Sequence, residues 1–266
     1  YKTNLPKNFV WCFAYANGIW TAGCYGGGLY YSTDGKTWTI SNVTSGTFVK
    51  PPIYMSSDRA WIACNSDETD GGLYASVDGM DWSKSFEGDF SSVCEGDRYY
   101  ILASYTSGLS ALTYAGFKFL FAHSDSVVPN QVVYGNGICV AYDIVESNST
   151  NPGLFYITEL TGKFPHGTEW TASNVTSGKF SSMCAMNGIW VASTYELGLY
   201  YSTDGKTWIQ SNTSSGDYYR CAAGKGMFVA AGPTGLLWTI DGVTWTSAYV
   251  SGSFMWVHYS NGIWVA

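Results

Sequence analysis

One phrase returns along this chain at intervals near forty residues, and that periodicity restricts what the chain can fold into more than any other feature. Asn17-Gly-Ile-Trp20, Asn187-Gly-Ile-Trp190 and Asn261-Gly-Ile-Trp264 are its clear copies. Asp58-Arg-Ala-Trp61, Gly96-Asp-Arg-Tyr99, Asn136-Gly-Ile-Cys139 and Lys225-Gly-Met-Phe228 are weaker ones. Counted at the last residue of each, the intervals are 41, 38, 40, 51, 38 and 36. A second phrase follows the first within a unit. Residues 28–38 and 198–208 both read GLYYSTDGKTW, with relatives at 72–82 (GLYASVDGMDW) and 235–245 (GLLWTIDGVTW).

Asn-Gly and Asp-Gly between aromatic-rich runs signal two-residue hairpins, because a type I′ turn needs positive φ at both central positions. One unit therefore parses into strand A over 9–16, strand B over 19–24, strand C over 29–33 and strand D over 37–41. A polar link over 42–46 leads onward and recurs at 174–178. No stretch sustains a 3.6-residue period, so the helical alternative fails. Four short antiparallel strands repeating every forty residues make one blade of a β-propeller. The expectation is an all-β, single-domain propeller with blades near residues 8–46, 47–88, 89–128, 129–178, 179–216 and 217–252. A seventh, from 253–266, would be completed by residues 1–7, since Tyr1-Lys-Thr-Asn4 aligns with the end of a strand D. A piece of a longer array is the competing reading. Two units are degraded: Ala115-Gly116 stands in place of Asp-Gly, and residues 161–169 stretch the turn before Trp170.

Composition narrows the function. Charged residues are 12% of the chain, against about a quarter in an average domain, and the net charge is −7. Arg59, Arg98 and Arg220 are the only arginines and the lysines are scattered, so no basic stripe could displace counterions from a nucleic acid or hold an anionic membrane surface. No apolar run approaches the roughly 18 to 20 residues of a membrane span. The cysteines are Cys12, Cys24, Cys64, Cys94, Cys139, Cys184 and Cys221; the count is odd and no C-x-x-C pair occurs. Most fall inside apolar strands, which points to buried free thiols and folding in a reducing cytoplasm.

The second phrase carries a resemblance. Ser32, Asp34, Gly35, Thr37 and Trp38; Ser76, Asp78, Gly79 and Trp82; Ser202, Asp204, Gly205, Thr207 and Trp208; and Thr239, Asp241, Gly242, Thr244 and Trp245 spell S-x-D-G-x-T-W or a close variant. This resembles the Asp-box, or BNR repeat, of sialidases and many other propellers, though it is one residue shorter between Asp and Gly. The resemblance implies that Asp34, Asp78, Asp204 and Asp241 are structural turn residues, not acids of a reaction. It also implies that Trp38, Trp82, Trp208 and Trp245 pack between blades. The whole unit, NGIWVA followed by GLYYSTDGKTWTxSNxTSG, is similar to repeats in tail and host-adhesion proteins of bacteriophages and prophages from gut Firmicutes. That likeness implies a tail-associated virion protein folded in the host cytoplasm, with the bacterial cell surface or secretion as the alternative location.

Catalytic signatures are weak. A sialidase needs an arginine triad, a Tyr/Glu nucleophile pair and an acid/base Asp, and the arginines at 59 and 98 fall on A–B turns. Two carboxylates would suffice for a general glycosidase; Asp67, Glu68, Asp70, Asp143, Glu146 and Glu196 lie in B–C loops without an assignable partner. His123, His166 and His258 lack metal-ligand spacing, and the 67–70 loop reads first as solvated and second as a Ca²⁺ site. No cofactor is expected. Asn42, Asn148, Asn174 and Asn212 sit in N-x-S/T sequons but also suit turns.

A recognition function fits the pattern of variation between repeats. The A–B and C–D turns are kept, while the B–C loops and the start of strand A diversify, and these share one face of a propeller. That face is expected to carry Trp11, Tyr25, Tyr105, Tyr195, Tyr218, Tyr219, Arg220 and Trp256 as ligand-binding residues, rigid amphipathic side chains suited to sugar rings or to a protein partner. Strand A also varies near its start, where Trp11, Ser91, Ser182, Arg220 and Trp256 occupy nearby positions. The expected function is a non-catalytic adhesin binding a bacterial surface polysaccharide. A scaffold propeller docking to another virion or assembly protein, with oligomerisation through a tail assembly, is the alternative, and a glycoside hydrolase ranks third.

Overall fold

The structure, a computed structural model, describes residues 4–5, 10–55, 58–67, 69–97, 99–105, 108–113, 119–123, 129–143, 153–158, 170–213, 215–260 and 262–266. The chain divides into two compact units, Tyr1–Ser124 and Asp125–Ala266. In the first, β1 (Val10–Ala16), β2 (Ile19–Cys24), β3 (Leu29–Ser32) and β4 (Thr39–Ile40) form one antiparallel sheet in chain order. β5 (Ile53–Met55) to β6 (Ala60–Asn65), β7 (Gly72–Ser76) and β8 (Ser83–Glu87) form a second. β9 (Phe90–Glu95), β10 (Tyr99–Ser104), β11 (Gly108–Thr113) and β12 (Phe119–His123) form a third.

The second unit repeats the plan. Its sheets are β13 (Pro129–Gly135), β14 (Ile138–Asp143), β15 (Leu154–Ile157), β16 (Thr171–Ala172); β17 (Lys179–Met186), β18 (Ile189–Tyr195), β19 (Leu199–Ser202), β20 (Ile209–Gln210); and β21 (Arg220–Gly224), β22 (Met227–Gly232), β23 (Gly235–Thr239), β24 (Thr246–Ser247). β25 (His258–Ser260) and β26 (Ile263–Val265) make a two-stranded hairpin. Among the described residues there are thus six four-stranded blades, not the seven expected from the repeat count. The seventh unit has sequence for strands A and B alone, and two strands are what it forms. Its expected completion by residues 1–7 falls, except for Asn4 and Leu5, outside the described residues.

The two turn dipeptides behave differently. Asn-Gly makes the expected two-residue turn: Ala16 pairs with Ile19, with Asn17 at φ 51° and Gly18 at φ 81°, and Asn187-Gly188 repeats it. Asp-Gly does not. Tyr31 pairs with Thr39, only Gly35 has positive φ (69°), and residues 32–38 form a wider loop closed by side chains. The Asp34 carboxylate accepts from the backbone N–H groups of Lys36 and Thr37, both at 2.7 Å, and the Ser32 hydroxyl accepts from Gly35 N at 2.9 Å. The same bonds recur at Ser76/Asp78, Ser202/Asp204 and Thr239/Asp241. The carboxylate satisfies donors that a ladder would otherwise use, so strand D shrinks from the expected 37–41 to Thr39–Ile40.

Blade joins to blade through the same loop. Trp82, Trp208 and Trp245 are buried with side chains of the preceding blade: Trp82 beside Ala14 and Leu29, Trp208 beside Val140 and Leu154, Trp245 beside Val191 and Leu199. An Asn four residues after the previous tryptophan position grips the backbone of each. Asn174 Nδ2 donates to Trp208 O at 2.9 Å and its Oδ1 accepts from Trp208 N at 2.7 Å. Asn42 does the same to Trp82, and Asn212 to Trp245. Asn4 does it to Trp38, which places the amino-terminal residues in register with the end of a strand D, as their sequence indicates.

Candidate functional site

In each unit the B–C loops and the incoming links lie together, tied by backbone hydrogen bonds. Phe48 N donates to Cys24 O and Tyr105 N to Asp89 O in the first unit; Tyr218 N donates to Thr194 O and Phe254 N to Gly232 O in the second. Four first strands begin with a bulge: between Val10 and Cys12, between Phe90 and Ser92 opposite Ser104, between Pro129 and Gln131, and between Phe180 and Ser182. A bulge leaves one residue unpaired and re-aims its side chain. Register equates the bulge residues Trp11, Ser91, Asn130 and Ser181 with Tyr219 and Met255. It equates Cys12, Ser92, Gln131, Ser182, Arg220 and Trp256 at the next position. A bulge shifts one strand by a residue without leaving a gap in the sequence, so residues that the sequence places near one another fall into two rows.

Trp11 and Tyr25 form the first unit's exposed aromatic pair, 50% and 53% accessible, with ring centroids 6.0 Å apart and planes inclined at 36°. Tyr25 opens the β2–β3 loop, where Gly26 and Gly28 take positive φ. At Gly28 a β-carbon would come 2.1 Å from Val43 O, so glycine alone permits this turn to sit under the link. Tyr105, at the end of β10, is half-buried.

The second unit brings five of the expected residues into neighbouring positions. Tyr195, 41% accessible at the end of β18, lies 6.0 Å from Tyr219 with planes at 50°. Beside them Glu196 takes φ 75°. Its N–H donates to Asp217 Oδ1 at 2.8 Å, and its carboxylate pairs with Lys179 at 2.9 Å. Arg220 is structural in this setting: it donates to Ser181 O at 2.8 Å and lies 4.5 Å over the Trp256 ring. Tyr218 packs against the β18, β19 and β22 core, and burial pushes its hydroxyl pKa up. Of the five, Tyr195 is exposed, and Tyr218, Tyr219, Arg220 and Trp256 are half-buried.

The loop carboxylates have local roles. Asp67 accepts from Thr69 N, Thr69 Oγ1 and Asp70 N, and the Thr69 hydroxyl leads in holding it below the usual carboxylate range. That is the wrong direction for a general acid near neutrality, and it spends on its own turn the oxygen that a Ca²⁺ site would use. Asp70 pairs with Lys84 at 2.7 Å. Glu68, Glu146 and the Asp143 side chain lie outside the described residues. The residues that sequence reasoning missed are the clamping asparagines, which it weighed as sequons; their constant offset from the strand D tryptophan was the available signal.

No protein-family model matches the chain, and no curated protein matches it. Solved structures do. The WD40 repeats of RRP9 superpose with a TM-score of 0.71 at 6% identity, over 96% of this chain and 85% of that one. The computationally designed Ika8 protein gives 0.69 at 9% identity, over 98% and 81%. The AfRom2 CNH domain gives 0.62 at 10% identity, over 96% and 88%. At such identities the likeness shows fold alone: the chain is an all-β propeller of four-stranded antiparallel blades.

Proposed function

We propose that the protein is a non-catalytic recognition propeller whose loop-bearing surface binds a bacterial surface glycan, as a tail-associated adhesin of a phage or prophage. The observation that carries this reading is the pair of tilted aromatic couples, Trp11–Tyr25 and Tyr195–Tyr219, each 6.0 Å between centroids and each at strand ends beside a diversified loop. Rings so placed offer apolar faces to the C–H side of a pyranose with little conformational entropy to lose. The four Ser/Thr-x-Asp-Gly loops are read as Asp-boxes of the BNR kind. Their carboxylates are consumed by backbone N–H groups, which supports a structural role and leaves the binding work to the opposite set of loops.

Purified protein would be incubated with cell-wall polysaccharides from gut bacteria while retention on the polymer and released reducing sugar are followed together. Retention without release, lost in a Trp11→Ala, Tyr195→Ala double variant, is the expected result. Sugar release would sink the non-catalytic reading, and absence of both signals would favour the scaffold alternative.

A further inference from the structure

Trp20, Trp61, Trp190 and Trp264 each stand second in the second strand of their hairpin. Opposite Trp20, Trp61 and Trp264 the first strand sets a tyrosine: Tyr15, Tyr54 and Tyr259. The ring centroids of these pairs lie 4.7, 5.4 and 4.9 Å apart. Opposite Trp190 stands Ala185. One position of the repeat has therefore lost a whole aromatic ring while its tryptophan partner remains.

The preceding sheet shows where that ring would lie. A β-carbon at Gly224 would come 1.9 Å from Tyr259 Cδ1, so glycine at the end of β21 makes the seat for the tyrosine of the next hairpin. Gly135 at the end of β13 holds the same place, since each is paired with the first residue of its second strand, Ile138 or Met227. The junction of β13–β16 with β17–β20 thus keeps the glycine seat and lacks the ring. Trp190 leans toward the seat, its Cζ2 3.1 Å from where a Gly135 β-carbon would stand. The space that remains is a cavity of about 350 Å³ lined by Tyr134, Gly135, Asn136, Ala185, Asn187 and Trp190 among others. That volume lies within the range of small-molecule sites.

We infer that this cavity binds a small uncharged phenol, the chemical equivalent of the side chain that Ala185 lacks. Its ring would lie against Ala185, the Trp190 indole and the Gly135 backbone, where aromatic rings attract through tilted or edge contacts. A cavity left by a truncated side chain can take up a free ring in its place. The hydroxyl would reach the amides of Asn136 and Asn187, exposed residues of the two Asn-Gly turns that flank the cavity. Its described lining carries no charged side chain, so a charged ligand would be desolvated without a partner. Among the described residues Trp190 Nε1, like Trp61 Nε1 and Trp264 Nε1, has no hydrogen-bond partner. Beside the latter two stands a tyrosine ring, and the ligand ring would supply that neighbour to Trp190. The site lies at the A–B turns, away from the B–C loops, and the inference is independent of glycan binding.

The test titrates the 266-residue protein with p-cresol, followed by ligand-observed NMR and thermal unfolding. Saturable binding with a dissociation constant of about 1 mM or tighter is expected, with a melting midpoint that rises with ligand concentration. Toluene, which lacks the hydroxyl, should bind about tenfold more weakly or worse. Ala185→Tyr rebuilds the pair seen at Trp20, Trp61 and Trp264, and should raise the melting midpoint of the free protein while abolishing p-cresol binding. Should that variant fail to fold, Ala185→Val narrows the same space with a side chain suited to a strand and should weaken p-cresol about threefold or more. N-acetyltyrosinamide should bind more weakly than p-cresol, because its backbone would meet the flanking turns; tighter binding would overturn the assignment to a free phenol in favour of a peptide's tyrosine. No saturation by p-cresol, equal binding of toluene, or undiminished binding to a folded Ala185 variant overturns the inference.

Discussion

Asn174 shows how much a single side chain decides in this fold. One amide accepts from Trp208 N and donates to Trp208 O, fixing the next blade's sealing tryptophan through its backbone. Asn174→Ala removes both bonds and should cost about 2 kcal/mol by urea unfolding. Asn174→Asp keeps an acceptor but loses the donor, so it should fall between. The Ser-x-Asp-Gly carboxylates set the response to acid. Backbone N–H groups of Thr37 and Lys36 lead in lowering Asp34 to about 2, and Asp78, Asp204 and Asp241 are also lowered. Their stabilisation is complete above the ordinary value of 3.8 and is lost as pH falls through the folded values. His258 acts earlier: burial lowers it from 6.5 to about 4, so the unfolded chain binds the extra proton between those values. Stability should therefore fall in two stages, first from pH 6.5 to 4 and then below 4. His258→Gln should reduce the slope of the first stage alone in a series of melting curves.

At the scale of elements, side chains near the B–C loops divide into exposed rings and those that hold neighbouring strands together. Trp11→Ala and Tyr195→Ala alter exposed rings and should shift unfolding free energy by no more than about 0.5 kcal/mol each, while polysaccharide retention drops. Arg220→Ala removes a hydrogen bond to Ser181 O and the stack on Trp256. It should cost about 1 to 2 kcal/mol with retention affected only as stability falls. Sequence pattern located these elements well where local chemistry is decisive. Asn17-Gly18 specifies its own turn, since both residues adopt positive φ without strain. It failed where the decisive partner is distant. Asp34-Gly35 looks like the same turn, yet Ser32 and Trp38 open it into a loop. The bulge at Trp11 is fixed by pairing with β2, so sequence alone does not separate the row of Trp11 from that of Arg220.

For the whole molecule, the forty-residue period made the propeller legible because each unit can bury its apolar face only against the next. Blade number was less legible, since a unit with sequence for strands A and B still counts as a repeat on the page but yields a hairpin in space. The cysteines follow the packing. All seven are outside any disulfide, and five of them (Cys12, Cys24, Cys64, Cys139 and Cys221) are buried. Cys12 donates to Phe48 O at 3.3 Å and Lys50 O at 3.1 Å, so its thiol is a structural donor between the first blade and the second blade's incoming link. Burial pushes the Cys24 thiol up to about 11, and raises Cys64 and Cys184 as well. Thiolate is the reactive species, so both access and ionisation oppose modification of Cys24 and Cys64 in the native fold. A disulfide-reactive chromophore at pH 8 should therefore titrate all seven thiols rapidly in denaturant and few of them in the folded protein. Reductant should leave the melting midpoint unchanged, because no cross-link restrains the unfolded chain. Rapid native labelling of all seven would mean that the blades open far more often than their buried tryptophan junctions allow.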